Sequence, residues 1–558
     1  MKRNGSDILV ECLLEQGVDT VFGYPGGAVL NIYDALYKYR DRIRHVLTAH
    51  EQGASHAADG FARATGRVGV CIATSGPGAT NLVTGIATAY MDSIPIVAVT
   101  GNVAVPLLGR DSFQEVDITG ITMPITKHNF IVKRVEDLAD TVRQAFRIAQ
   151  SGRPGPVLID LPKDITAAVT EYEPRPAVGP RPHIPPKEER LQMTLDRLKS
   201  CERPLIYFGG GVISSGAEAE LLALAEGQDI PVCSSMMGLG GFPPDHRLWL
   251  GMVGMHGTLA ANRAARECDL LLACGARFSD RVAGSTTGFA PHAQVIHMDI
   301  DHAEFDKNVS VTVRLAGDLK EVLGTLAQRA DRRTHPVWVE QVTALRRKAP
   351  CLSASPEDPA DPLEILRTLR RLTPDDTIVA TDVGQHQMWT AQHFEFRQPR
   401  TLLSSGGLGT MGYGLGAAIG AQAAFPDRRV VLVSGDGSIH MNLNELTTLA
   451  SYNLPIVVVV MNNRVLGMVR QWQKVFYGRR FSATDPHRKT DLVKLAEAFG
   501  CTGMRISTAG DIEPVLQAAL EKNGPVLVDC QISPDANVLP MIPPGGTVEE
   551  IIEEMDED

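Results

Sequence analysis

The chain is predicted to be an α/β protein of three domains, each with a parallel sheet flanked by helices. Three observations predict this. Short aliphatic and β-branched runs end in glycine or proline and alternate with helical patterns, the rhythm of buried parallel strands. The length of 558 residues sets a prior of roughly three to four domains. Two proline-spotted stretches divide that length into three comparable parts.

In the first part the runs VGVCIATSG (68–76), PIVAVTG (95–101) and PVLIDLP (156–162) read as strands, and 76–92 reads as a helix. Six prolines between Pro174 and Pro186 then favour extended chain over packed structure. The second part starts at PLIYFGGGV (204–212) and holds DLLLACGAR (269–277) and QVIHMDID (294–301). CLSASPEDPADP (351–362) leads into the third part, which holds TIVATDVG (377–384). The expected boundaries are 1–168, a linker at 169–188, 189–332, a linker at 333–362, 363–535, and a C-terminal tail at 536–558. The acidic end EEIIEEMDED reads as a solvated tail or helix end. The first and third parts share a strand rhythm, consistent with an old duplication.

The most informative segment is Val430 to Met468. An apolar run (Val430 to Val433) ends at Gly435-Asp436-Gly437, and a second (Ile456 to Val460) ends at Asn462-Asn463. Leu443, Leu446, Leu449 and Ala450 lie between them at helical spacing, with Asn442 or Asn444 as N-cap. Strand, helix and strand in that order make the strands parallel neighbours. Asp436 and Asn463 then meet at the carboxyl edge of the sheet, where open α/β sheets bind ligands. A carboxylate and an amide oxygen suit Mg²⁺, with water and phosphate oxygens completing its shell. Gly435 and Gly437 let backbone N–H groups approach a diphosphate. The alternative is a surface turn before an ordinary buried strand.

Composition excludes several classes. A net charge of −11 with no basic stripe excludes a nucleic-acid partner. No apolar stretch reaches the length of a membrane span. Nine dispersed cysteines without a C-x-x-C pair point to reduced thiols and a cytoplasmic enzyme. The fifteen histidines show no metal-ligand spacing. The N-terminus reads directly as an amphipathic helix, without signal or transit features.

The GDG…NN spacing resembles the diphosphate-binding motif of thiamine diphosphate enzymes. Further motifs narrow the resemblance: GYPGG (23–27), HEQGA (50–54), SGPGATN (75–81), FQEVD (113–117), GRPGPVLIDLPKD (152–164), GMHG (254–257), GARFSDR (275–281), DVGQHQMW (382–389), SSGGLGTMGYGLG (404–416) and GMVRQWQ (467–473). From about residue 5 to about 545 the chain is similar to the catalytic large subunits of anabolic acetohydroxyacid (acetolactate) synthases.

The resemblance implies a thiamine diphosphate-binding fold like that of pyruvate oxidase and decarboxylase. Its pyrimidine-binding, FAD-binding and diphosphate-binding domains would follow in that order. The implied cofactors are thiamine diphosphate, Mg²⁺ on Asp436 and Asn463, and a non-redox FAD. Glu51 would be the acid that activates the aminopyrimidine ring, a task favoured by burial. Gly384, Gln385, His386 and Ser438 would hold the diphosphate, Gly409 the 4′-amino group and Met411 the bent cofactor, with Val465 offering only its backbone carbonyl. Arg153, Gly209, Gly210, Gly211, Met255, His256, Arg277, Asp299 and Asp318 would hold FAD. Arg281 would pair the second substrate's carboxylate; alone it reads equally as a surface partner of Asp280. Trp472, sharing a helix face with Met468, would favour 2-ketobutyrate over pyruvate. A Trp/Met face is otherwise more often core. Gln114, Phe113 and Lys163 match channel positions.

The implied reaction decarboxylates pyruvate and joins its two-carbon unit to pyruvate or 2-ketobutyrate. Expected partners are these substrates, a second copy in a homodimer or homotetramer, and a small regulatory subunit, with no nucleic acid and no membrane. Glyoxylate carboligase, which lacks the equivalent of Glu51, and pyruvate oxidase are the rival enzymes, and a catalytically dead scaffold is the rival of another class. One departure stands out: Gly416 replaces the family's usual proline, which is expected to loosen the helix entry slightly without removing activity.

Overall fold

The computed structural model describes residues 1–183, 185–285, 288–346 and 355–555. Cys351 to Ala354 of the second proline-spotted stretch, and 556–558 of the acidic end, lie outside the described residues. Three six-stranded sheets carry the fold, and every strand pair within them is parallel. Strands such as Val157–Pro162 and Val457–Asn462 are buried almost throughout. Helices on both faces of a parallel sheet demand that, which is why the sequence shows continuous rather than alternating apolar runs.

The first sheet runs Arg44–Leu47, Thr20–Gly23, Gly69–Ala73, Ile96–Asn102, Val157–Pro162, His128–Ile131. The third runs Leu402–Leu403, Ile378–Thr381, Val430–Gly435, Val457–Asn462, Val526–Gln531, Thr502–Ile506. Numbered along the chain within each sheet, both orders are 2-1-3-4-6-5. This shared topology gives the suspected duplication a structural basis. The central sheet differs: Trp249–Met252, Val232–Ser234, Pro204–Phe208, Leu270–Cys274, Gln294–Asp299, Val313–Ala316, or 3-2-1-4-5-6. That is the doubly wound order of dinucleotide-binding sheets, with its switch point between Pro204–Phe208 and Leu270–Cys274.

Helices Glu51–Thr65 and Tyr413–Ala424 join the first and third domains back to back. A Cβ on Gly60 would collide with the Ala417 carbonyl, and one on Gly420 with the Ala57 carbonyl. At Gly416 a Cβ would lie 2.7 Å from His56 Cβ. Gly416 sits inside the helix, not at a loosened entry; it lets the two backbones approach. Arg63 and Asp59, an i,i+4 pair at 2.6 Å, are buried beneath this contact, and Tyr413 donates its hydroxyl to Asp59 at 2.7 Å.

Several local expectations shift. The N-terminal helix, Gly5–Glu15, is preceded by a strand, Lys2–Asn4, paired antiparallel to Val169–Glu171. Residues 76–92 form two helices, Pro77–Asn81 and Val83–Asp92. The crossover in the Asp436 segment is broken into Asp436–Ile439, a 3₁₀ turn Leu443–Glu445, and Leu446–Ser451. Asn442 does not cap it with its side chain, because its amide donates to the Gly412 carbonyl instead, at 3.3 Å. Residues 536–552 do not trail away. Met541 is fully buried and the Ile542 N–H donates to the Met255 carbonyl at 2.8 Å. Glu549 pairs with Arg266 at 3.0 Å, so part of the acidic end packs on the central domain.

Gly420→Ala is expected to cost about 1–3 kcal/mol or more in urea unfolding, because the new methyl has no room against the Ala57 carbonyl.

Candidate active site

Asp436 opens the short helix after Val430–Gly435, and Asn463 follows Val457–Asn462 on the neighbouring strand. Gly435 is level with Met461 in the register, so the two side chains emerge at adjacent strand tips. Asn463 is held on both sides. Its Nδ2 donates to Gln385 Oε1 at 3.1 Å, and its Oδ1 accepts from the Val465 N–H at 3.2 Å. Gln385 is fixed in turn by Gln471 Oε1 at 3.0 Å and the Ala536 carbonyl at 2.8 Å. Burial pushes the Asp436 carboxyl up, opposed by the Arg488 guanidinium 3.3 Å away. Arg488 is a neighbour that the motif spacing did not reveal.

The surroundings fit a diphosphate with its cation. Among the described residues no group of three or more His, Cys, Asp or Glu is placed to hold a metal ion. A cation here therefore needs oxygens from a ligand beyond Asp436 and Asn463. His386 is buried at the start of helix Gln385–His393, and its Nε2 has no hydrogen-bond partner. Burial brings its imidazole down to about 3, so the ring is neutral. An unpartnered buried ring nitrogen beside Gly384 and Gly435 suits an incoming polar ligand. Ser438 donates to the Val383 carbonyl at 2.7 Å. Gly409 has φ +71°, and Met411 reaches over Gly437.

Glu51 is the first residue of helix Glu51–Thr65 and is only 8% exposed. Its Oε2 accepts from Asn81 Nδ2 at 2.9 Å, and Gly78 leaves space beside Oε1. Behind it, Glu445 of the third domain accepts from the Ala49 and His50 N–H groups at 3.1 and 3.0 Å. Sequence reasoning missed Glu445, since an apolar helix pattern gives no sign of a buried acid capping a distant one. Gln114 adopts φ +59° beside Gly76, while Phe113 is 88% exposed. Lys163 is exposed at the start of helix Lys163–Ala167.

The structure brings Arg281 and Trp472 together. The Arg281 guanidinium lies 5.7 Å from the Trp472 ring centroid, across the boundary between the second and third domains. Trp472 also meets Phe476 edge-on within helix Gly467–Phe476. Both line a cavity of about 1540 Å³ that extends from the central switch point to Gly384 and Gly409.

At the switch point, a Cβ on Gly209 would lie 2.9 Å from Ala276 Cα, and one on Gly211 would lie 2.6 Å from Gly275 Cα. Gly210 opens helix Gly210–Ser215. Asp299 ends its strand and accepts from the Asp301 N–H at 2.8 Å; burial pushes its carboxyl up to about 6. Asp318 caps helix Leu319–Arg329 through the Lys320 N–H at 3.0 Å. Arg153 crosses from the first domain to Glu304 at 2.6 Å and Asp301 at 3.4 Å. Met255 and His256 are buried nearby, and burial brings the His256 imidazole down to about 4. Arg277 donates to the Met91 carbonyl at 2.6 Å.

Comparison with known proteins matches this architecture domain by domain. Residues 3–121 match the thiamine pyrophosphate enzyme N-terminal TPP binding domain, 191–326 the central domain, and 382–530 the C-terminal TPP binding domain. The chain is 48% identical to a probable acetolactate synthase large subunit of Methanocaldococcus jannaschii, over 98% of this chain and 95% of that one. It is 46% identical to the acetolactate synthase isozyme 2 large subunit of Escherichia coli, over 99% of this chain and 100% of that one. The chain belongs to the acetolactate synthase large-subunit family of thiamine pyrophosphate enzymes. Within that family the Glu51 helix and the Asp436–Asn463 edge fall in the N-terminal and C-terminal TPP binding domains respectively. The central domain, with its 3-2-1-4-5-6 sheet, stands between them in sequence.

Asp299→Asn tests the electrostatics of the crevice. Its folded carboxyl sits near 6 against an ordinary 3.8, so its ionisation opposes folding above about pH 6 and not below about pH 4. In ligand-free protein the asparagine variant is expected to be more stable than the wild type at pH 7.5. The gain should be at most about 3 kcal/mol and should vanish on acidification, read by urea melts across that range.

Proposed function

We propose that the protein is an acetolactate synthase that decarboxylates pyruvate and joins its two-carbon unit to pyruvate or 2-ketobutyrate. The products are 2-acetolactate and 2-aceto-2-hydroxybutyrate, the first common intermediates of branched-chain amino-acid synthesis. The observation that carries this reading is the pairing of an Asp436–Asn463 edge with a buried Glu51 in a chain 46–48% identical to such large subunits. Thiamine diphosphate, when bound, supplies the electron sink for decarboxylation.

The chain's own residues divide the remaining work. Asp436 and Asn463 would hold Mg²⁺ together with diphosphate oxygens, with Val465 offering its backbone carbonyl. His386 Nε2, Gly384, Gln385 and Ser438 would take the remaining diphosphate oxygens. Glu51 would share a proton with the aminopyrimidine N1′, Gly409 would accept from the 4′-amino group, and Met411 would support the bend. Arg281 would pair the acceptor's carboxylate while Trp472 packs against its alkyl group. The cation–π contact between them supports this, since it sets a charged fork beside an apolar face. Gln114 and Lys163 would stand at the substrate approach.

The central crevice would hold FAD without net redox work. Its sheet order and the Gly209–Gly211 approach to Gly275 support a dinucleotide. A homodimer would be the smallest active unit. The hydrogen bond that Glu51 makes stays inside its own domain. Phe113 and Met441, beside the site motifs, are large apolar side chains left exposed, a surface suited to a second copy. The large-subunit relatives support a small regulatory partner. The eight described cysteines are free and buried, consistent with the cytoplasm.

Glu51→Gln is expected to lower acetolactate formation by about 10²–10⁴-fold in a coupled colour assay with thiamine diphosphate and Mg²⁺ saturating. Unchanged turnover would reject the assignment. Trp472→Leu should erode the preference for 2-ketobutyrate by roughly 10-fold or more in a competition assay with pyruvate, the value of one well-packed methylene.

A further inference from the structure

Helix Val83–Asp92 ends in a way that costs stability twice. Asp92 places a carboxylate at the helix C-terminus, where the macrodipole disfavours it, and its side chain is fully buried. The next residue, Ser93, has φ +61°, a left-handed conformation that favours glycine. Adjacent local costs of this kind mark positions kept for something other than stability.

The contacts show what is held. Asp92 Oδ2 accepts from the Gly406 N–H at 3.0 Å and Oδ1 from the Gly407 N–H at 2.8 Å. Arg63 Nη2 reaches Oδ2 at 2.9 Å, and Arg277 Nη2 stands 3.8 Å from Oδ1. One carboxylate therefore joins the first domain, the central domain and the 404–412 loop of the third. One turn back on the same helix, Thr88 Oγ1 hydrogen-bonds Thr410 Oγ1 at 2.8 Å. The helix thus grips the loop on both sides of Gly409. The two loop glycines are closely packed. A Cβ on Gly407 would lie 2.7 Å from Asp92 Oδ1, and one on Gly406 would collide with Met237 Sδ of the central domain. Arg277, Asp92, Gly406 and Gly409 all line the same cavity.

We propose that Asp92 is a positioning residue through which an occupant of the central crevice sets the loop that carries Gly409. The proposal rests on the reading of that crevice as an FAD site and of the Gly409 loop as part of the thiamine diphosphate site. Arg277 is one-third exposed on the crevice side, where it donates to the Met91 carbonyl and faces Asp92. A dinucleotide packed over it confines it against Asp92 and the Met91 carbonyl. The loop then loses freedom before thiamine diphosphate arrives, so the second ligand meets a site already ordered. By linkage the two ligands tighten each other equally.

The test is equilibrium binding to the full-length protein with Mg²⁺ present. Thiamine diphosphate is titrated by calorimetry with and without saturating FAD, and FAD by flavin fluorescence with and without thiamine diphosphate. The wild type is expected to show about tenfold reciprocal tightening. Asp92→Asn keeps the shape and leaves Arg63 paired with Asp59; it should reduce the coupling below twofold while each ligand still binds. Arg277→Met, which also weakens FAD binding, should lower the coupling likewise once FAD is raised to saturation, and decides the matter if the first variant folds poorly. Near-ultraviolet circular dichroism of the bound aminopyrimidine should lose its FAD dependence in both. Independent binding in the wild type, or undiminished coupling in both variants, would overturn the proposal. Failure of the wild type to bind FAD at all would overturn the crevice reading itself, and the coupling with it.

Discussion

The structure depends on one steric constraint, the close crossing of helices Glu51–Thr65 and Tyr413–Ala424. Gly60, Gly416 and Gly420 let the backbones approach until any added carbon would strike a neighbour. The crossing fixes the first domain against the third over the buried Arg63–Asp59 pair. Both helices also lead into the site. Glu51 opens one, and the other follows directly on Met411 and Gly412. A shift at the crossing would therefore move the acid and the Gly409 loop together.

Electrostatics is layered on that frame. Interior charges are acceptable only when partnered, and those around the helix crossing are. Asp59 and Asp92 share Arg63, and Glu445 is satisfied by the Ala49 and His50 N–H groups and the Thr448 hydroxyl. His386, a neutral ring, has Nε2 without a partner where the glycine-lined strand tips open.

The three domains also divide labour through topology. The outer sheets share one strand order, while the central sheet has another. Equivalent outer sheets place Glu51 and Asp436 on comparable frames, which suits a ligand bridging two domain types. The central switch point faces the same cavity, so both proposed ligand regions lie within reach of one helix end at Asp92.

Much of the fold was legible because it is local. Aliphatic runs ending in glycine mark parallel strands, and the 27-residue interval between Asp436 and Asn463 sets a crossover that brings the two strand tips together. The roles of the residues around Gly384 and Gly409 came only through the family resemblance of their motifs. The rest was decided by tertiary structure, because it depends on partners far along the chain. Gly416 read as a loosened helix and proved to be a packing contact with His56. Asn442, one of two candidate caps with Asn444, proved to serve the Gly412 carbonyl. Arg281 and Trp472 were separate candidates until folding stacked them, and Asp92 carried no signal at all until its carboxylate was seen between three domains. Sequence spacing records what a residue does within its own element, and only the packed chain shows which distant backbone needs its charge or its lack of a side chain.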